Sequence, residues 1–271
     1  IEPAAPAFTP AAGNLRRLTT EQYRNVIKDL LGPDIVVPPR IEPDSRIEGL
    51  LAVGAGITSF SDRGVEQFES AAYDIARQAL APGPSRDRLV PCQPWFVIDP
   101  GCAEAFVRPF GRAAFRRPLT EQEVQSFVDV AGYAAPRLGD FYRGLEFAMA
   151  AMLQSPYFVF RVEIGEPDPA NPGRFRYDAY ELATRMSFFA WNSTPDAALI
   201  DAAENGVLDT DEGYAQELAR LLADERARGG VRAFFADMLR LAELEQLNKD
   251  PVVYVHFSPE VGQSAREETL L

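Results

Sequence analysis

Three segments of this chain are written as helix starts, and they constrain its fold more than any other feature. Leu18-Thr19-Thr20-Glu21-Gln22-Tyr23 sets Thr19 as an N-cap with Gln22 three residues on, flanked by the apolar pair Leu18 and Tyr23. Leu119-Thr120-Glu121-Gln122-Glu123-Val124 repeats the arrangement, and Asp178 with Glu181 forms a third box. In such a box the cap side chain accepts an N–H from the first turn while the third residue reaches back to the cap's own N–H, so two orphan donors are satisfied locally. Behind the first box Tyr23, Val26, Ile27, Leu30 and Leu31 recur at helical spacing until Gly32-Pro33 stops the run.

The rest of the chain follows the same pattern. A helix is expected from about Asp62, with Val65, Phe68, Ala72, Ile75, Ala79 and Leu80 facing inward and Pro82-Gly83-Pro84 ending it. Asp99-Pro100 reads as an N-cap and first-turn proline for a helix carrying Phe106, Val107, Phe110 and Ala114, which Pro109 is expected to kink or split. Asp140 starts another, and Tyr157 to Phe160 reads either as a short strand or as a buried continuation. Asp178 caps a helix with Leu182, Met186 and Phe189 inside, and Thr194-Pro195-Asp196 starts a helix that Gly206 closes. Further helices are expected from about Thr210 to Asp224 and from Val231 to Leu244, separated by Gly229-Gly230, and one more from Ser258-Pro259-Glu260.

Between Pro33 and about Phe60 no period is sustained, which reads as a long irregular connection. Arg174 to Tyr177 alternates as a short edge strand would, after a Pro-rich turn from Gly165 to Gly173. The fold class is therefore mainly α: a bundle-like array of many helices with long irregular loops and at most a short hairpin. The expected organisation is a linker at 1–14, an N-terminal helical module at 15–90, a disulfide-containing, Arg-rich module at 91–164, and a second helical module at 165–271 that reads as truncated, since no stop signal precedes Leu271.

Composition narrows the partners. With 27 basic and 40 acidic residues the net charge is -13, a field that repels a polyanion, so nucleic acid is not an expected partner. No stretch reaches the roughly 20 consecutive apolar residues that span a bilayer, and no transmembrane segment is expected. Cys92 and Cys102 lie in a Pro-rich segment, a spacing that fits a disulfide in an oxidising compartment better than two free thiols. Two cysteines without nearby histidines do not complete a zinc shell, and no metal site is expected.

Chemistry-bearing residues are sparse. His256, the sole histidine, sits in the apolar run Val252 to Phe257 and reads as a packed residue rather than a catalyst. Arg108, Arg112, Arg116 and Arg117 follow a helical course, fitting an anion or partner site on one reading and ion pairs with the chain's own carboxylates on the other, which is the expected one. Arg161 with Glu163, and Arg185 with Asp178 or Glu181, read as ion pairs too. Trp95 beside Phe96, and Trp191 beside Asn192, suit sugar stacking or, more commonly, a core. Gly-rich phosphate loops and a Gly-x-Ser-x-Gly elbow are both missing.

Four motifs in order carry a family resemblance. Leu15 to Asn25 with Asp29-Leu30-Leu31-Gly32, then Phe110 to Thr120, then Leu153 to Phe158 with Arg161 and Glu163, then Tyr180 to Ser193 together resemble the modules of large exported planctomycete and myxobacterial proteins of unknown function. Such proteins often carry a cysteine pair near the position of Cys92 and Cys102, and many have a c-type cytochrome domain ahead of these modules. The resemblance implies an extracytoplasmic, periplasmic or cell-surface, bacterial protein whose partners are other modules of the same polypeptide or a cytochrome subunit. No Cys-x-x-Cys-His is present, so no cofactor is expected in this chain, and haem would belong to another segment or partner. The leading expectation is an accessory helical module; the alternatives are a carboxylate-dependent enzyme acting on polysaccharide and a structural subunit of a surface assembly.

Overall fold

A computed structural model describes residues 14–57, 59–169, 171–250, 252–258 and 260–270. All of the expected linker except Asn14 lies outside them, as do Pro259 and Leu271. In chain order the helices are α1 Thr20–Leu31, α2 Leu51–Gly54, α3 Asp62–Ala79, α4 Pro84–Leu89, α5 Pro100–Phe115, α6 Glu121–Leu138, α7 Phe141–Gln154, α8 Pro156–Val159, α9 Ala179–Trp191, α10 Ala197–Glu204, α11 Asp211–Ala223, α12 Arg226–Met238 and α13 Glu260–Thr269. The fold is mainly α, as the sequence implies. All three capping boxes form: at the first, Thr19 Oγ1 accepts the Gln22 N–H at 3.2 Å while Gln22 Oε1 accepts the Thr19 N–H at 3.2 Å.

The first core packs α1, α3, α5, α6, α7 and α8 around fully buried Tyr23, Phe106, Leu145, Met149 and Phe158. Tyr23 is met edge-on by Phe68 and Phe158, with ring centroids at 5.1 and 5.8 Å, the geometry that the ring quadrupole favours. A second core gathers Ala183, Met186, Ala190 and Trp191 of α9 with Leu199, Leu208 and Leu221. Because Phe188 belongs to the first core, α9 is buried on two sides and joins the two clusters.

Two small antiparallel sheets complete the fold. Strands β3 (Glu166–Pro167) and β4 (Phe175–Arg176) are the expected hairpin. Strand β1 (Asn14–Arg17) pairs with β2 (Phe160–Glu163) in the register Leu15↔Val162 and Arg16↔Arg161, a long-range ladder that local patterning does not announce. Asn14 is thus part of a strand rather than a linker. The ambiguous run resolves into both readings: Pro156–Val159 is one helical turn and Phe160 starts β2.

Four expectations are corrected. Pro109 does not split α5, which runs unbroken from Pro100 to Phe115: a proline removes one ladder N–H, and the buried Phe106, Val107 and Phe110 hold the helix across that gap. Val65 and Phe189 point outward, Phe189 at 74% exposure, because their neighbours Gly64 and Phe188 take the inward positions. The long connection contains the short helix α2, and α4 starts at Pro84, the last residue of the proline cluster that was expected only to end α3. The Gly229-Gly230 pair does not separate two helices but lies inside α12.

Gly230 explains why. A Cβ there would sit 2.0 Å from the Ala190 carbonyl oxygen, so the missing side chain lets α12 cross α9 at backbone contact. Nothing lies within 4 Å of the corresponding position at Gly229. Gly230→Ala is therefore expected to cost about 1–3 kcal/mol through overpacking, whereas Gly229→Ala gains up to about 1 kcal/mol from helix propensity; urea unfolding of the two variants reads the opposite signs directly.

Candidate functional site

The four arginines of the predicted site go four ways. Arg108 donates to Glu104 at 2.6 Å and to both carboxylate oxygens of Glu121 at 2.9 and 2.6 Å. Arg112 reaches Asp201 at 2.5 Å and Glu204 at 2.7 Å, tying α5 to α10. Arg117 clasps Glu123 through two bonds of 2.9 and 2.7 Å and lies 4.4 Å from the Tyr157 ring centroid. Arg116 turns inward and is 3% exposed. The expected helical course breaks because α5 ends at Phe115: Arg116 is its left-handed cap, with φ 61°, and leaves the face shared by Arg108 and Arg112.

Other candidates also move. Cys92 and Cys102 are joined by a disulfide with Cα atoms 5.7 Å apart; closing so short a loop stabilises by about 2–3 kcal/mol on loop entropy. Asp99 accepts the N–H groups of Trp95 and Cys102, holding a tip on which Trp95 is 87% exposed and Phe96, Val97 and Ile98 are exposed with it. His256 is exposed with its apolar neighbours Val252 to Val255, not packed as expected: the segment leaves the second core and only Phe257 and Ser258 are partly covered. Trp191 is no stacking platform: it is buried, its indole N–H donates to the Leu221 carbonyl at 2.8 Å, and the Arg226 guanidinium lies 3.5 Å from its ring centroid. Asn192 adopts φ 55° as the α9 cap; its side-chain oxygen accepts from Gln22 at 2.9 Å and its carbonyl from Asn25 at 3.2 Å, while Ser193 donates to Asp29 at 2.6 Å. The Tyr180 to Ser193 stretch is thus a joint between α1 and α9.

The most unusual chemistry gathers at β1 and β2, where sequence spacing did not place it. Glu163, 4% exposed, meets Arg16 at 3.2 Å, Arg161 at 3.4 Å and Arg185 at 2.5 Å. Arg185 does not pair with Asp178 or Glu181, because those carboxylates cap α9 and Glu181 also accepts the Ile164 and Gly165 N–H groups. Arg16 and Arg161 face one another directly across the ladder, a like-charge pairing that costs free energy unless a third group offsets it. Glu163, on the same face of β2, is that group.

Arg116 adds a fourth guanidinium. Its Nη2 donates to the carbonyls of Tyr157, Phe158 and Phe160 at 2.6, 3.2 and 2.7 Å, and its Nη1 is buried with no hydrogen-bond partner among the described residues. Burial, then the nearby Arg161 charge, pushes Arg116 down to about 9; burial pushes Arg161 down to about 10, against the pull of Glu163. Both remain cations at neutral pH. The Phe188 ring lies 5.9 Å from the Arg116 guanidinium and 5.0 Å from that of Arg161, within cation–π range.

Arg161 and Phe188 open into a groove of about 460 Å³ between α9, α12 and the Leu50 to Ala55 segment, walled by Leu50, Leu51, Phe189, Val231, Phe234 and Met238. Of its two carboxylates, Asp237 is engaged by Arg46 at 2.9 Å and by the Leu51 and Ala52 N–H groups, and Glu21 is held above the usual carboxylate range by burial, with Arg266 pulling the other way. A cavity of about 490 Å³ between α6 and α7 differs in kind: its Arg137 stacks on Tyr133 and donates to that residue's carbonyl at 2.6 Å. No group of three or more His, Cys, Asp or Glu side chains among the described residues is disposed to hold a metal ion. No described helix is long and apolar enough to cross a membrane.

These features define a mainly helical protein built around two hydrophobic cores. Family models match in chain order: PSD3, a protein of unknown function (DUF1587), over residues 16–81; PSD5, a protein of unknown function (DUF1595), over 102–163; and PSD4, a protein of unknown function (DUF1592), over 177–271. The chain thus carries three planctomycete-type modules of unknown function. No curated protein and no solved structure matches it.

Removing the shared carboxylate tests the cluster. Glu163→Gln leaves three guanidiniums without their counter-charge and is expected to cost about 3–5 kcal/mol in denaturant unfolding. A second check uses acid. Its hydrogen bonds with Arg117 hold Glu123 down from 4.5 to about 2, so the stability it contributes is fully present above about pH 4.5 and is lost as pH falls through 2. Stability of Glu123→Gln is expected to fall less steeply over that window than that of the unmodified chain.

Proposed function

We propose that this chain is an accessory, noncatalytic helical unit of an exported, cytochrome-associated multidomain bacterial protein, organised as modules at 15–90, 91–164 and 165–271, with electron transfer lying outside the chain. The observation that carries the reading is where the polar residues of the family-like motifs sit. Gln22, Asn25 and Asp29 engage Asn192 and Ser193, Arg112 engages Asp201 and Glu204, and Glu163 engages Arg16 and Arg185. These side chains fasten one module to the next. The disulfide agrees with an oxidising, extracytoplasmic compartment, and the exposed Trp95 to Ile98 tip offers an anchored apolar contact for a neighbouring module or a cytochrome subunit.

Covalent c-type haem does not fit this chain's own residues: both cysteines are bonded to each other, and His256 is the sole histidine. Haem in the native assembly would therefore sit on another segment or subunit. Purification of the full-length protein from its native source, with an absorption spectrum and intact masses, is the test. A Soret band that copurifies with a polypeptide containing these modules is the expected result. A colourless native protein, at full length and with no haem-bearing partner, overturns the reading.

A further inference from the structure

We propose that the groove between α9, α12 and the Leu50 to Ala55 segment binds a free amphiphilic monocarboxylate of the fatty-acid class, its head on Arg161 and its tail along α12. The site is built from two parts that make opposite demands. One is a surplus of positive charge: Arg16, Arg161 and Arg185 converge on one carboxylate, Glu163, and the buried Arg116 adds its charge beside Arg161, in a chain whose net charge is -13. Arg116 Nη1 and Arg161 Nε are buried donors with no hydrogen-bond partner among the described residues. Of the two, Arg161 lines the groove. A guanidinium in an apolar surround is matched by a carboxylate, which takes two parallel N–H donors and restores the charge balance.

The other part is apolar. Ala227, Gly230, Val231, Phe234 and Met238 line the groove from α12. At 1.5 Å per residue they extend over roughly 16 Å of helix, a wall suited to a linear tail rather than to a compact ring. Its volume of about 460 Å³ falls in the range of small-ligand sites. Phe189 and Phe234, both exposed, stand along it without covering it. Neither of the groove's own carboxylates opposes an incoming anion strongly: Asp237 is engaged by Arg46 and two N–H groups, and Glu21 faces Arg266. This site is independent of any association with a cytochrome.

The test is calorimetric titration of the full chain with dodecanoate below its micelle concentration, with dodecyltrimethylammonium and phosphatidylglycerol vesicles as separate arms. Saturable one-to-one binding of dodecanoate, with none of the cationic amphiphile, is expected. Arg161→Gln should weaken it about tenfold or more, as loss of charge-assisted hydrogen bonds does. Phe234→Asp, a change at an exposed position that leaves the buried cluster intact, should abolish it even where Arg161→Gln proves unstable. Equal binding of the cationic amphiphile, unchanged affinity in Phe234→Asp, or the absence of saturable binding overturns the proposal. Sedimentation with the vesicles but no uptake of dodecanoate also overturns it, and points to a lipid surface instead.

Discussion

The buried carboxylate of Glu163 is the point on which the arrangement of the chain depends. It receives Arg16 from β1, Arg161 from its own strand and Arg185 from α9, elements drawn from each of the three matched segments. Without it, Arg16 and Arg161 would face each other across the ladder as uncompensated like charges. A buried ion cluster is weak as a source of net stability, because desolvation offsets much of its attraction. Its stronger effect is on register. Sliding β1 by one residue would turn Arg16 to the other face and bring Arg17, which pairs with Glu42 at 2.8 Å, against Glu163.

Around that point the packing is completed by close approach. Helix α9 contributes Phe188 to one core and Trp191 to the other, and Gly230 lets α12 lie against its backbone at Ala190. At its C-terminus the left-handed Asn192 ends the helix and bonds to α1 in the same step. The cap is therefore also the contact between modules. Few substitutions would satisfy both requirements, since most side chains resist positive φ and lack the amide that Gln22 addresses.

What could be read from the sequence follows from distance along the chain. Thr19 with Gln22, Thr120 with Glu123 and Asp178 with Glu181 complete their bonds within four residues, so their helices are legible. Cys92 and Cys102 are close enough for the same reason. The cluster of Arg16, Arg116, Arg161 and Arg185 is assembled across the fold, and no local period marks it. Arg116 appeared in a helical row of arginines because Pro118 and the Thr120 box show only that α5 ends ahead of them, not that it stops at Phe115. Gly229-Gly230 misled for a related reason: a glycine that ends a helix and one that allows two helices to touch look alike until the neighbour is known. The apolar groove was illegible because its walls come from residues near 50, 188 and 231.

The β1–β2 ladder sets an order on folding. Leu15 pairs with Val162, so the first strand leaves the ribosome long before its partner exists. At synthesis rates of about 5–20 residues per second, the wait is roughly 7–30 seconds, far longer than a hairpin takes to close. During it Arg16 has no Glu163 to meet, and a free strand edge is open to wrong pairings. The segment that holds β1 is thus a late finisher despite being made before its partner. Whatever escorts the nascent chain must keep that edge covered until residue 163 has emerged.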